Sequence, residues 1–168
     1  MLNQMDNKLV QSLTSRHKTS HKGQRGHVLV VGGSEDYVGA VILAGLAALR
    51  SGCDIVTIAA PEKVAWAVNS YTPDLITKKL KGNIITAYHL SIISELIKKC
   101  NILLIGNGIG LDESTKSACK HLIYENLALP KVIDADALKS VSLTKVNESI
   151  LTPHAKELEY FLINSKIN

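Results

Sequence analysis

Four loops carry the residue types from which a small-molecule site is made: Gly32-Gly33-Ser34, Gly106-Asn107-Gly108-Ile109-Gly110, Asp134-Ala135-Asp136 and Leu151-Thr152-Pro153-His154. Three alternate glycines after an apolar run permit φ > 0 and present consecutive backbone N–H groups, a nest suited to phosphate or ribose oxygens. A purely structural turn rarely needs three, so ligand contact is the favoured reading of Gly106 to Gly110. Asp134 and Asp136 could hold a metal through water, orient a sugar hydroxyl or cap the next helix. Taken alone, capping is the simpler reading. Thr152-Pro153-His154 with Glu157 three residues on resembles a helix amino terminus, and the imidazole of His154 could donate to a phosphate or an amide. Gly32-Gly33-Ser34, followed by Tyr37-Val38-Gly39-Ala40, would let a ligand approach the backbone at a helix amino end. Its spacing is neither GxGxxG nor a phosphate loop ending in Gly-Lys-Ser/Thr, and alone it reads equally as a tight turn.

These loops need strands to deliver them to one edge. His27 to Val31 is a continuous apolar run, as expected of a strand covered on both faces. Helical spacing follows over Val38 to Arg50, with Gly52 as its stop. Asp54 to Ala59 reads as a second buried strand, and Pro61 as a first-turn residue of the next helix. Leu75 to Lys79 reads as a short strand, Leu90 to Lys99 as an amphipathic helix and Ile102 to Ile105 as a strand. A helix over Asp112 to Asn126, strands at Lys131 to Ile133 and Ser149 to Leu151, and a helix from Ala155 to Leu162 complete the alternation. Such alternation means α/β: a three-layer parallel sheet with flanking helices. In such sheets ligands bind beyond the carboxyl ends of the strands, where all four loops fall.

The composition narrows the function classes. A chain of 168 residues suits one domain; we divide it into a polar, Ser/Thr/His/Lys/Gly-rich approach over residues 1–25 and a single α/β domain over 26–168. With aromatics at 4%, Trp66 and Phe161 offer no stacking platform for nucleic acid. The net charge of +4 is too mild for a nucleic-acid or membrane surface, despite the crowding at Arg16-His17-Lys18, His21-Lys22 and Arg25. It suits a phosphorylated small molecule. Cys53, Cys100 and Cys119 are widely spaced, and reduced, largely buried thiols are the plain reading. The first twenty residues lack an apolar core and no run approaches the ~20 residues of a membrane helix. A cytoplasmic protein is expected.

Together these residues resemble a known family. In order, His21-Lys22-Gly23 followed by Gly26, Gly32-Gly33-Ser34, Gly39-Ala40, Arg50-Ser51-Gly52, Gly106-x-Gly108-x-Gly110, Asp134-Ala135-Asp136-Ala137-Leu138 and Leu151-Thr152-Pro153-His154-x-x-Glu157 are similar to the amino-terminal part of the ADP- or ATP-dependent NAD(P)H-hydrate dehydratases, of the ribokinase-like superfamily. The resemblance runs from about His21 to Leu162. It implies repair of damaged nicotinamide coenzyme. The S form of hydrated NADH or NADPH is phosphorylated by ADP or ATP on its added hydroxyl, usually with Mg²⁺, and loss of phosphate restores the dihydronicotinamide ring. By the resemblance, hydrate-contacting positions fall on Ala40, on Gly106 or Gly108, and on His154. Gly33, Ser34, Gly39, Asn107, Asp134, Asp136 and Glu157 are supporting positions, with Asp134 and Glu157 candidates for organising metal, water or hydroxyl.

Departures from the pattern carry their own expectations. Asn107 stands where the family usually has proline, which should loosen that loop. Pro73-Asp74 replaces Pro-Glu, and Ala155-Lys156 replaces Pro-Gly beside His154. The family's lysine-glycine strand and its Gly-Thr-Gly-Asp loop, source of the anion hole and the catalytic aspartate, have no counterpart in these 168 residues. A catalytic residue is therefore not assigned. The resemblance implies a dehydratase polypeptide that is shortened, or whose second half is supplied elsewhere. A non-catalytic binding or assembly subunit, or a related small-molecule kinase, are the alternatives. An open sheet edge would further favour a homo-oligomer or a complementing chain.

Overall fold

The computed structural model describes residues 25–167. The polar segment up to residue 24, with its His21-Lys22-Gly23 motif, lies outside the described residues.

Alternating apolar runs and helices produce one six-stranded, all-parallel sheet in the order β3-β2-β1-β4-β5-β6. The strands are β1 (His27–Val31), β2 (Ile55–Pro61), β3 (Ile76–Leu80), β4 (Ile102–Ile105), β5 (Lys131–Ile133) and β6 (Ser149–Leu151). Between and after them run α1 (Val38–Arg50), α2 (Glu62–Tyr71), α3 (Leu90–Ile97), α4 (Glu113–Tyr124) and α5 (Ala155–Asn164). Short 3₁₀ turns at Ala87–His89, Ala135–Ser140 and Leu143–Lys145 fill the connections. The expected parallel α/β architecture is therefore the observed one. β1, β4, β5 and β6 begin and end where the apolar runs do.

Pro61 departs from expectation. It is the last residue of β2 and stands before α2, with φ −48° and ψ 146°. Proline's fixed φ serves an extended strand end as well as a helix start, and this strand end needs no donor from it. Asp112 also lies just outside its helix, as the N-cap whose side chain accepts from the N–H of Ser114. That cap satisfies one of the free amides every helix start leaves.

The core lies in two layers, one on each face. Leu29, Val31, Leu103, Ile105 and Ile133 form one with residues of α3, α4 and α5. Val28, Val30, Val56, Ile58 and Ala60 form the other beneath α1 and α2. Strands buried on both faces must be apolar at every position, which is why β1 reads as an unbroken run. The strand order reverses direction between β1 and β4, since β2 and β3 lie on one side of β1 and β4 to β6 on the other. The loops after those two strands thus meet at a switch point of the sheet.

Candidate functional site

The glycine loops after β1 and β4 are sewn together at that switch point. The N–H of Gly33 donates to the Asn107 carbonyl at 2.8 Å. Gly106 has φ +119°, and a Cβ there would fall on the Asp134 carbonyl oxygen, so only glycine lets the loops after β4 and β5 touch. Gly108, at φ +61°, sits under α1, where a Cβ would lie 2.6 Å from Tyr37 Cβ and 3.0 Å from Ala40 Cβ. The closeness that glycine allows here brings Gly108 and Ala40 onto one wall.

The expected run of consecutive free amides is shorter than its sequence suggests. The N–H of Gly106 donates to Val31 and that of Gly110 to Asp136 Oδ2 at 3.2 Å. Ile109 N–H returns to the Gly106 carbonyl. Among the described residues, the amides of Asn107 and Gly108 keep no such partner.

Asp134 and Asp136 do not act as caps. Asp134 precedes the Ala135–Ser140 turn without a capping bond from its side chain. Instead its Oδ2 accepts from Asn107 Nδ2 at 2.7 Å and its Oδ1 from Thr152 Oγ1 at 2.6 Å. One carboxylate thereby ties the loops after β4, β5 and β6. Hydrogen bonds to a charged acceptor are worth about 1.5–3 kcal/mol each, so this tie outweighs a local cap of ~1 kcal/mol. Asp136 accepts from Lys139 Nζ at 2.8 Å as well as from Gly110. That bond, foremost among several charges nearby, holds the Lys139 ammonium above its usual range. Between the two aspartates Ala135 has φ +49°, a left-handed conformation costing a non-glycine residue about 1–2 kcal/mol. The ties on either side hold it there.

Asn107 tightens its loop rather than loosening it. Its carbonyl accepts from Gly33 and its amide donates to Asp134. The cost is an orphan: Asn107 Oδ1 is buried and has no partner among the described residues. Flipping the amide would set oxygen against the Asp134 carboxylate, so the orphan is the better of two arrangements.

His154 opens α5 in a reciprocal cap with Glu157. The N–H of Glu157 donates to His154 Nδ1 at 3.4 Å, and the His154 N–H donates to Glu157 Oε2 at 3.1 Å. With Nδ1 accepting, the imidazole proton belongs on Nε2, which lies 3.2 Å from Glu157 Oε1. Glu157 is buried while the His154 side chain is 66% exposed. The ring is fixed on one side and open on the other. Ala155 and Lys156 are ordinary first-turn residues of α5.

Above these loops lies a cavity of about 620 Å³. Ala40, Gly108 and His154 line it together, with Asp136, Glu157 and Lys139. Gly106, Asn107 and Asp134 lie beneath as scaffold and do not line it, nor do Gly33, Ser34 and Gly39. Gly39 is in the first turn of α1 with open space where a Cβ would be. Sequence reasoning missed Tyr37, Leu111, Ala135 and Lys139 as wall residues. Lys139 had a signal, because Asp136 stands one helical turn before it.

The match to known proteins covers this whole arrangement. A family model described as NAD(P)H-hydrate dehydratase matches residues 28–168. The chain belongs to the NAD(P)H-hydrate dehydratase family. The bifunctional NAD(P)H-hydrate repair enzyme Nnr of Methanothermobacter thermautotrophicus is 41% identical over 154 residues, which cover 89% of this chain and 30% of that protein. A ribokinase-like superfamily protein of Enterococcus faecalis superposes with a TM-score of 0.77 at 22% identity, over 94% of this chain and 55% of that one. The ADP/ATP-dependent NAD(P)H-hydrate dehydratase of Bacillus subtilis, co-crystallised with ATP and Mg²⁺, superposes with a TM-score of 0.67 at 27% identity, over 93% and 54%. The fold is thus ribokinase-like. This chain of the dehydratase family spans about 30% of the length of the curated relative and about half that of the solved ones.

Neither carboxylate pair makes a metal centre. Among the described residues no three His, Cys, Asp or Glu converge as metal ligands. The cavity's own carboxylates are engaged, Asp136 by Gly110 and Lys139 and Glu157 by His154. The described residues therefore do not fit Mg²⁺ by themselves. Among them no helix is long and apolar enough to cross a membrane.

Proposed function

We propose that this chain binds hydrated NADH or NADPH in the rim cavity and supplies the substrate-holding part of an ADP- or ATP-dependent dehydratase. The observation that carries the reading is the convergence of Ala40, Gly108 and His154 on one cavity, from three loops far apart in sequence. The small side of Ala40 and the bare backbone of Gly108 admit a flat ring close to the protein. The Gly108 amide offers a donor to carboxamide or hydroxyl oxygens, and the Nε2–H of His154 offers a second in competition with Glu157 Oε1, 3.2 Å away. His154 is held by its helix cap, so its donor is positioned before a ligand arrives. Phosphate transfer from ADP or ATP, with Mg²⁺, is the family's chemistry, and no step of it is assigned to the residues described here. A complementing chain or a second copy is the partner that this division of labour calls for. A cytoplasmic location suits coenzyme repair.

The test follows the dihydronicotinamide absorbance band after adding (S)-NADH hydrate, Mg²⁺ and either ADP or ATP. Restoration of the band by this chain shows the complete activity. Hydrate binding without restoration assigns the chain as a binding subunit, a reading favoured by the full engagement of Asp136 and Glu157. Absence of hydrate binding, or binding unaffected by His154→Ala and Gly108→Ala, overturns the proposal.

A further inference from the structure

A second cavity, of about 500 Å³, lies between α4, the Ala135–Ser140 turn and the end of α5. Its wall is polar, with the ammonium groups of Lys116, Lys120 and Lys139 beside the hydroxyls of Ser117, Ser140 and Ser142. Two of those lysines are neutralised nearby, Lys116 by Glu113 at 2.7 Å and Lys139 by Asp136 at 2.8 Å. Lys120 is not. Its Nζ lies 5.8 Å from the centroid of the Tyr124 ring, and Lys145 Nζ lies 5.2 Å from the same centroid. Neither has a carboxylate partner among the described residues. Contact with the ring returns only about 0.5–1 kcal/mol to each at an exposed site, which leaves both charges open to an anion. Lys120 and Tyr124 line this cavity and Lys145 approaches the same ring from outside its wall, so an anion seated beside Tyr124 would gain charge-assisted bonds. Ser142 frames the spot, its N–H donating to Tyr124 Oη at 3.2 Å.

Lys139 lines this cavity and also the rim cavity of His154, so the two are neighbours across one side chain. We infer that this groove receives the phosphate-bearing end of the dinucleotide whose nicotinamide end lies in the rim cavity, and that Lys120 and Lys145 select the 2′-phosphorylated coenzyme. The inference rests on the proposed hydrate-binding reading. A phosphate monoester carrying nearly two charges matches two lysines without counter-charges; the uncharged 2′-hydroxyl of the other coenzyme does not.

The experiment titrates the chain with NADPH and with NADH, reading coenzyme fluorescence, for wild type and for Lys120→Glu/Lys145→Glu. Wild type is expected to bind NADPH about tenfold more tightly than NADH, the scale of one charge-assisted contact. The double variant is expected to erase that preference, NADPH losing more affinity than NADH, whose pyrophosphate lies nearby, with an unchanged far-ultraviolet dichroism spectrum. Adenosine 2′-phosphate should compete with NADPH in wild type and not in the variant. Equal affinities in wild type, or a preference that survives the charge reversal, overturns the inference while NADH binding keeps the rim-cavity reading intact. Failure of both coenzymes and of the hydrate to bind wild type removes the rim-cavity reading and this inference with it. Inorganic phosphate competing as well as adenosine 2′-phosphate would show a free-anion site and overturn the assignment to the coenzyme.

Discussion

The two faces of the sheet are finished differently. On one, Leu103, Ile105 and Ile133 lie fully buried among residues of α3, α4 and α5. On the other, α1 and α2 cover β1, β2 and β3, and the row formed by Leu104, Val132 and Ile150 runs out towards solvent. Ile150 is 66% exposed and Ile102, on the same side, 39%. Yet β4, β5 and β6 deliver three of the four site loops. Strands of three or four residues buried mainly on one face hold their ends loosely, so position must come from elsewhere. Here it comes from Asp134, whose carboxylate bridges Asn107 and Thr152. The packed face supplies stability, and the hydrogen-bonded rim supplies geometry.

That contrast breaks first at its best-covered thiol. Burial pushes Cys119 from 9.0 up to about 12, and it lies in the fully covered layer. Cys53, beside the half-finished face, is raised as well, by burial first and the Asp54 charge last, but stays partly exposed. Alkylation at pH 8 should spare Cys119 by about a thousandfold relative to an unhindered thiol, the thiolate fraction alone accounting for that. Mass spectrometry of labelled native protein measures it, and comparable labelling of Cys119 and Cys53 would erase the distinction.

Truncation in the covered layer is the next largest effect. Ile105→Ala should cost about 2–5 kcal/mol in denaturant unfolding, and Ile150→Ala on the open side less than about 0.5. Equal losses would mean that the open side is covered in solution. Sedimentation is the companion measurement: Ile102→Lys/Ile150→Lys should reduce self-association without loss of helix content.

Asp134→Ala sharpens the rim's side of the comparison. It should cost about 1–3 kcal/mol of stability and weaken hydrate or coenzyme binding at least tenfold. An Asp134→Asn chain, which keeps an acceptor for Thr152 or Asn107, should recover part of both. Loss of stability with binding intact would make the tie merely structural.

The smallest expected effect is alkaline. Lys139 is raised chiefly by its bond to Asp136, so its contribution is complete below the ordinary lysine value and fades as pH climbs through the raised one. Because both groups retain some exposure, about 0.5 kcal/mol is the scale. Lys139→Met should flatten the stability profile above about pH 10. An unchanged slope would assign the alkaline loss to another group.

Much of this was written locally in the chain. β1 is legible because an unbroken apolar run suits a doubly covered strand, and the loops after β1, β4, β5 and β6 are legible as one edge, but Ala40, Gly106 or Gly108, and His154 are singled out within them only by the family resemblance. The ties were not legible. Asp134 finds Asn107 and Thr152 at separations of 27 and 18 residues, which no local spacing encodes. The capping reading of Asp134 fails for that reason: the distant donors Asn107 Nδ2 and Thr152 Oγ1 take its carboxylate in place of the nearby amides. Tyr37 was missed because only the missing Cβ of Gly108 brings it in.

His154 gives the first turn of α5 a reporter. Its Nδ1 is committed to the Glu157 amide, so a ligand that draws on the ring's outer nitrogen competes with a carboxylate and leaves the helix start closed. Deuterium uptake at the Glu157 amide should therefore stay slow when the coenzyme docks, while the nitrogen-15 shift of Nε2 moves. Recognition and local unfolding would then register on separate channels of a single side chain.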